Sequence, residues 1–103
     1  MAVCRTCGAD SEGSESFARV ASMSGSILGD EHTESLFFCR DCQCYTISYS
    51  VDHFCGEETV RAEGPIAKER GNHLAAIMAK CDRPWDKKCR CPAHREYFGD
   101  GLD

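Results

Sequence analysis

Two pairs of cysteines, each spaced Cys-x-x-Cys, constrain the fold of this chain more than any other feature. Cys4 and Cys7 lie near the start of the chain, and Cys39 and Cys42 follow an apolar run in its middle. Two cysteines three positions apart can direct both sulfur atoms to one point around a tight turn, and Gly8 permits the left-handed backbone that such a turn tends to need. The spacing predicts a site in which four thiolates bind one metal ion.

The chemistry of four thiolates indicates a structural site. Such a ligand set leaves no open coordination position, which is the arrangement of structural zinc rather than catalytic zinc. Iron in a rubredoxin-like site uses the same four ligands, so the pattern leaves zinc and iron open. Neither pair follows a strand and opens a helix, which argues against a thioredoxin-like redox function. We expect Zn²⁺ in a structural role.

The segments around the two pairs predict strands. Residues 16–24 predict a short strand, residues 25–34 a polar loop, and a second apolar segment then leads into Cys39. Apolar and polar residues alternate over residues 45–51, which is the period-two pattern of a strand with one buried face. The predicted order is therefore cysteine turn, strand, loop, strand, cysteine turn, strand.

This order over residues 1–54 resembles the zinc-ribbon class of proteins. In that class, two Cys-x-x-Cys turns bind one zinc ion at the end of a small antiparallel sheet. The resemblance implies that one Zn²⁺ is bound by Cys4, Cys7, Cys39 and Cys42. It does not extend to the second half of the chain.

The second half contains a denser group of possible ligands. Cys81, Cys89, Cys91 and His94 follow the spacing C-x7-C-x-C-x2-H. A disulfide between Cys89 and Cys91 would be badly strained, whereas three thiolates and one imidazole complete a tetrahedral zinc site. Cys55 is an alternative to His94 as the fourth ligand. A [4Fe–4S] cluster that uses Cys55 with the three other cysteines is the competing interpretation.

A helix is predicted ahead of these ligands. Asn72 is a suitable N-cap, apolar residues fall on one face of residues 72–81, and Pro84 would end the helix. The polar residues 57–70 are predicted to form a connector that is broken by Gly64-Pro65. We expect Trp85 to pack over the second metal site.

Together these elements predict a small, metal-stabilised α+β fold, in which an antiparallel zinc-ribbon sheet is followed by a short helix and a Cys/His metal-binding loop. We expect a zinc-ribbon-like module over residues 1–55 and a helix-plus-loop unit over residues 56–103, packed together as one unit. A chain of 103 residues buries a small core, and domains of this size commonly depend on metals or other cross-links.

Composition limits the environment and the partners. The nine cysteines are odd in number and follow no charged and apolar leader, which is unlike a secreted disulfide framework. No apolar run approaches the roughly 20 residues that cross a bilayer. We therefore expect a soluble, cytoplasmic protein with no membrane association. The net charge of −5 disfavours general nucleic-acid binding, although residues 80–95 are locally basic.

No catalytic motif is present: the sequence lacks a glycine-rich phosphate loop, a G-x-S-x-G elbow and an H-E-x-x-H helix. The acidic residues 29–34 are expected to form a solvated turn, and Cys44 is assigned no role. The expected function is that of a non-catalytic, small zinc-binding subunit or adaptor of a larger enzyme complex, acting through protein–protein contacts in a hetero-oligomer. The alternatives are an iron–sulfur electron-transfer subunit and a nucleic-acid-binding zinc protein. The interface anchors expected for protein contacts are Phe37, Phe38, Tyr45, Ile47 and Tyr49.

Overall fold

The computed structural model describes residues 3–10, 13, 15–53, 56–99 and 102. Its elements, in chain order, are β1 (Phe17–Ile27), β2 (Asp30–Cys39), β3 (Cys44–Asp52), β4 (Glu58–Ala67), α1 (Lys68–Ala79) and α2 (Pro92–Phe98). The strands form one antiparallel sheet in the order β1-β2-β3-β4. The structure thus confirms a small α+β fold, with a four-stranded antiparallel sheet and two short helices.

The prediction of a loop at residues 25–34 is wrong. β1 and β2 continue through these residues and form a hairpin. Ile27 pairs with Asp30, and only Leu28 and Gly29 form the turn. Both turn residues have positive φ, 52° and 85°, as a two-residue type I′ hairpin turn requires. The acidic residues 29–34 therefore lie mostly in a strand rather than in a solvated turn.

The prediction of a connector at residues 57–70 is also wrong, because residues 58–70 form β4 and the start of α1. β4 pairs with β3 from Glu58 opposite Asp52 to Ala67 opposite Cys44. Most residues of β4 are exposed because it is an edge strand, so the sequence carries no alternation that would reveal it. Charged side chains on such an edge discourage pairing with other chains. β4 belongs to the predicted second unit, yet it pairs along its length with β3 of the first.

The helix begins earlier than predicted. α1 starts at Lys68, directly after β4, so Asn72 lies inside the helix and is not its N-cap. The Asn72 side chain instead accepts a hydrogen bond from the hydroxyl of Tyr45 on β3. This contact joins α1 to the sheet.

The main core lies between the helices and one face of the sheet. Its buried members are Met23, Leu36, Tyr45, Ile47, Ile77, Met78, Cys81 and Ala93. A smaller core at the end of the sheet contains Cys4, Phe17 and Cys39. Tyr45 and Ile47 are buried within the chain itself, so they are not the interface anchors that the sequence suggested. Each core includes cysteines from one of the two predicted metal sites.

Packing between α1 and β3 predicts the effect of one glycine substitution. A Cβ added at Gly71 would lie 1.9 Å from Cδ2 of Tyr45, so Gly71→Ala should destabilise the protein by about 1–3 kcal/mol. Helix propensity alone predicts the opposite sign, a gain of about 0.5–1 kcal/mol. Urea unfolding measures the difference. Gly13→Ala is the matched control, because its nearest neighbour would lie 3.9 Å away. A more stable Gly71→Ala protein would contradict this packing.

Candidate metal centres

The first cluster consists of Cys4, Cys7, Cys39 and Cys42, whose sulfur atoms all lie within 4.8 Å of one another. The Sγ atoms of Cys4 and Cys42 are 3.9 Å apart, and those of Cys7 and Cys39 are 3.8 Å apart. The four thiols that the two Cys-x-x-Cys pairs predicted therefore converge on one point.

Two tight turns present these sulfur atoms. In the first turn, the Gly8 N–H donates to the Cys4 carbonyl at 3.0 Å, and Gly8 has a φ of 77°. In the second, the Gln43 N–H donates to the Cys39 carbonyl at 2.8 Å, and Gln43 has a φ of 54°. In each turn, a backbone hydrogen bond thus links the first cysteine of the pair to the residue after the second cysteine. That later residue adopts the left-handed conformation.

The first cluster is anchored to the sheet. The backbone N–H of Arg5 donates to the Thr46 hydroxyl on β3 at 3.3 Å, which ties the N-terminal turn to the sheet. Below the cluster, the fully buried Phe17 ring stacks on Phe37 with a centroid separation of 5.5 Å. An apolar floor of this kind shields the sulfur atoms from water on one side.

The second cluster consists of Cys81, Cys89, Cys91 and His94, whose ligand atoms also lie within 4.8 Å of one another. Cys81 follows the end of α1, and Cys91 is the N-cap residue of α2. The sulfur atoms of Cys81 and Cys89 are 3.8 Å apart. The Nδ1 atom of His94 lies 3.2 Å from the Cys81 sulfur and 3.4 Å from the Cys91 sulfur. A helix end, a loop and a second helix thus meet at one point.

His94 is oriented by the sheet. Its side chain is fully buried, and its Nε2 atom lies 2.8 Å from the carbonyl oxygen of Ser24 on β1. A carbonyl oxygen only accepts, so Nε2 donates this hydrogen bond and Nδ1 is the ring nitrogen that faces the sulfur atoms. Hydrogen bonds of this type fix the tautomer of histidines that bind metals. The N–H of Ser24 also donates to the Pro84 carbonyl at 2.7 Å, so one residue of β1 holds the cluster loop at two points.

The separations within both clusters fit ligands that share one tetrahedral ion. A zinc–sulfur distance of about 2.3 Å with tetrahedral angles places two sulfur atoms about 3.8 Å apart. The Sγ–Sγ distance is 3.9 Å for Cys4 and Cys42, 3.8 Å for Cys7 and Cys39, and 3.8 Å for Cys81 and Cys89, and the remaining ligand atoms of each cluster lie within 4.8 Å of one another. The thiolates of a [4Fe–4S] cluster bind different irons and must stand farther apart. Each cluster is therefore a potential site for a single metal ion.

The first cluster favours ionisation of Cys4 and disfavours ionisation of Cys39 and Cys42. Burial raises the pKa of the Cys4 thiol, but backbone hydrogen bonds from Cys7 and Thr6 outweigh it and lower the pKa to about 6. The pKa of Cys42 is raised, first by its hydrogen bond with Cys7 and then by burial. Burial also raises the pKa of Cys39. A divalent cation would remove the repulsion that opposes further ionisation here.

The second cluster shows the same division between its thiols. Burial raises the pKa of Cys91, but hydrogen bonds with the side chain and backbone of His94 lower it to about 6. Burial raises the pKa of Cys81 to about 12. The two thiols lie in one cluster, so a positive charge between them would favour the ionisation of both.

The other residues that the sequence indicated do not belong to the two clusters, or lie outside the described residues. Cys55 lies outside the described residues. Cys44 belongs to neither cluster, and its sulfur lies 3.7 Å from the Thr6 hydroxyl. Trp85 does not cover the second cluster, since 71% of its surface is exposed. Ser24 was not predicted from the sequence, because it acts through its backbone and no side-chain pattern marks it.

No family model, no curated protein and no solved structure matches this chain, so the two clusters are interpreted from their geometry alone. The first cluster is compatible with a zinc-ribbon-like site, and both donor sets suggest metal binding. Among the described residues, neither helix is long and apolar enough to cross a lipid bilayer.

Single cysteine substitutions should separate the two sites. If both clusters bind a metal ion, Cys39→Ser and Cys91→Ser should each lower the metal content, measured by elemental analysis, by one equivalent per chain. Cys39→Ser should also unfold much of the first half of the chain, since structural zinc contributes on the order of 10 kcal/mol to the folding of small sites. Cys44→Ser is the matched control and should retain both equivalents. Full metal content and an unchanged melting transition in Cys39→Ser would contradict the first site.

Proposed function

We propose that this chain is a small zinc-binding protein with two structural centres, which has no catalytic activity of its own and acts as a subunit or adaptor of a larger enzyme complex. The observation that carries this proposal is the convergence of eight donor atoms into two sets of four. Four protein ligands fill the coordination sphere of zinc, so neither ion would keep a position for a substrate or a water nucleophile.

Zinc is the metal that the donor sets support best. Three cysteines with one histidine, and four cysteines, are both common structural zinc sites. Soft thiolates also accept iron, but the spacing within each cluster suits one ion rather than an iron–sulfur cluster. The electron-transfer alternative would require the cysteines of the second cluster to move apart.

The two ions would cross-link separate parts of a small fold. The first would join the N-terminal turn to the turn between β2 and β3. The second would join the end of α1 to α2, and His94 would connect it to β1. Cross-links at these points compensate for a core that is small for a domain of this size. Such a protein presents a fixed surface, which is what an adaptor requires.

A cleft on the helix-covered face of the sheet is the place where we propose that a partner binds. It has a volume of about 620 Å³, and its floor is formed by apolar residues such as Ile47 and Leu74. Glu34, Tyr49, Glu63, Arg70 and Tyr97 also line it. Clefts with an apolar floor and a few convergent polar groups are typical binding sites.

The polar groups of this cleft favour a cationic side chain. The Tyr97 hydroxyl donates to Glu34 Oε1 at 2.6 Å, and burial raises the pKa of this glutamate. At the rim, the guanidinium of Arg61 lies 4.9 Å from the centre of the Tyr49 ring and 3.8 Å from Glu63 Oε1. The rim therefore already holds one guanidinium between an aromatic ring and a carboxylate. We propose that a lysine or arginine of the partner protein enters the cleft beside Glu34 and Glu63, the two carboxylates that line it.

Reversing one charge in the cleft tests this docking site. The chain, isolated under native conditions from cells that produce it, should belong to a complex of defined stoichiometry, measured by native mass spectrometry. Glu63→Lys should weaken that complex at least tenfold, because a like charge then faces the partner's cation. Glu63 is exposed, so zinc content and thermal unfolding should not change.

The control for this experiment is Glu15→Lys, which makes the same charge change at an exposed residue before β1. This variant should retain the complex. A chain that is monomeric in the cell extract, or a Glu63→Lys variant that binds as well as Glu15→Lys, would contradict docking in the cleft.

A further inference from the structure

The segment between α1 and α2 carries an exposed tryptophan among basic side chains. We define the Trp85 surface by its five residues, Arg19, Arg83, Trp85, Lys87 and Lys88. Trp85 is 71% exposed, although tryptophan is a side chain that proteins usually bury in large part. An exposed ring at a fixed position needs a reason other than the stability of the fold.

The cations of this surface are available for an external partner. Within the described part of the chain, no ion pair is formed by Arg19, Arg83 or Lys88. Lys87 lies 3.7 Å from Glu31, but that pair is exposed, and such pairs are weak. Six basic residues stand against two acidic ones over residues 80–95, whereas the whole chain has a net charge of −5. Positive charge is thus concentrated in the segment that carries Trp85, although Asp82 and Asp86 also belong to it.

A groove lies next to the tryptophan. Its volume is about 580 Å³, and its lining includes Trp85, Pro84, Arg19 and the hydroxyl residues Ser22 and Thr33. The groove lies against the outer face of the sheet. The hydrogen bond from the Ser24 N–H to the Pro84 carbonyl fixes the tryptophan segment to β1. Because Thr33 and Glu34 are neighbours on β2, their side chains point to opposite faces of the sheet. The groove and the cleft proposed above are therefore separate surfaces.

We propose that the Trp85 surface binds single-stranded nucleic acid. An aromatic ring on which a base can stack, next to cations that contact phosphates, is the combination that such proteins use. The hydroxyls of the groove add donors of the kind that contact phosphate and sugar oxygens. An acidic protein segment would satisfy the cations but would leave the flat, exposed ring without a matching partner. The acidic remainder of the chain confines the binding to this surface and to few phosphates.

This inference goes beyond the proposed function, and the chain provides its own probe. Trp85 is the only tryptophan, so intrinsic fluorescence reports on this one residue. Titration of the zinc-loaded, full-length chain with a short single-stranded oligothymidylate should quench the fluorescence and saturate. Contacts to about three phosphates predict that the logarithm of the binding constant falls with the logarithm of salt concentration with a slope of about −2.

Variants separate stacking from charge, with binding followed through a labelled oligothymidylate. Trp85→Ala should weaken binding about tenfold or more, because it removes a stacked base. Lys88→Gln should weaken binding and reduce the salt slope by about 0.7. Lys68→Gln removes the same charge from α1, outside the Trp85 surface, and is the control that should bind like the unchanged chain. All three positions are exposed, so zinc content should be retained.

Two results would overturn the inference. One is the absence of fluorescence quenching at low salt in a chain with full zinc content. The other is that polyglutamate of equal length binds as tightly as oligothymidylate while Trp85→Ala has no effect. In that case the surface would be a site for acidic proteins. Neither result bears on the Glu63 cleft, so the two proposals can fail independently.

Discussion

The hydrogen bond between His94 and the backbone of Ser24 is the contact on which the second half of the structure depends. It fixes the imidazole with Nδ1 toward three cysteines, and it places their cluster against the first strand of the sheet. The helices are short, and α2 has only seven residues, so neither would be stable alone in water. A metal ion at this cluster would hold α1, the basic segment and α2 in one arrangement. The position of Trp85 follows from that arrangement.

A metal ion at the first cluster would likewise hold together the elements at the other end of the sheet. Its two turns meet beside the buried Phe17 and Cys39, where the strands alone would leave a small and open core. Four thiols at such separations are unfavourable when more than one is ionised, and a divalent ion changes that balance. Metal binding at the two clusters would therefore stabilise both ends of the fold. The sheet between them presents the cleft with Glu34 and Glu63 on one face and the groove beside Trp85 on the other.

The sequence predicted the features that follow from local spacing. The two Cys-x-x-Cys pairs and the C-x7-C-x-C-x2-H segment give the members of both clusters, because ligands to one ion must be brought together by short turns. The alternation over residues 45–51 predicts β3, because that strand has one buried face. These predictions depend on the chemistry of side chains within a few positions of one another.

The features that were missed depend on the position of a segment in the whole fold. β4 is an edge strand with mostly exposed residues, so no hydrophobic pattern marks it. The hairpin of β1 and β2 contains glycine, serine and charged residues, which do not mark a strand. It forms because a two-residue turn brings the two strands into register. In this register the hydroxyls of Ser24 and Thr33 lie 2.9 Å apart. Asn72 resembles an N-cap, but α1 continues directly from β4 and begins a turn earlier. Trp85 was expected over the cluster, a place where His94 and α2 already pack.

X-ray absorption at the zinc edge, on protein purified without oxygen, distinguishes structural zinc from other metals at the two clusters. We expect two zinc ions that share seven thiolates and one imidazole. The mean first shell should contain mostly sulfur at about 2.3 Å with a small nitrogen contribution at about 2.0–2.1 Å, and no metal–metal scattering. A coloured protein that contains iron with iron–iron scattering, or zinc bound mainly by oxygen, would contradict this expectation.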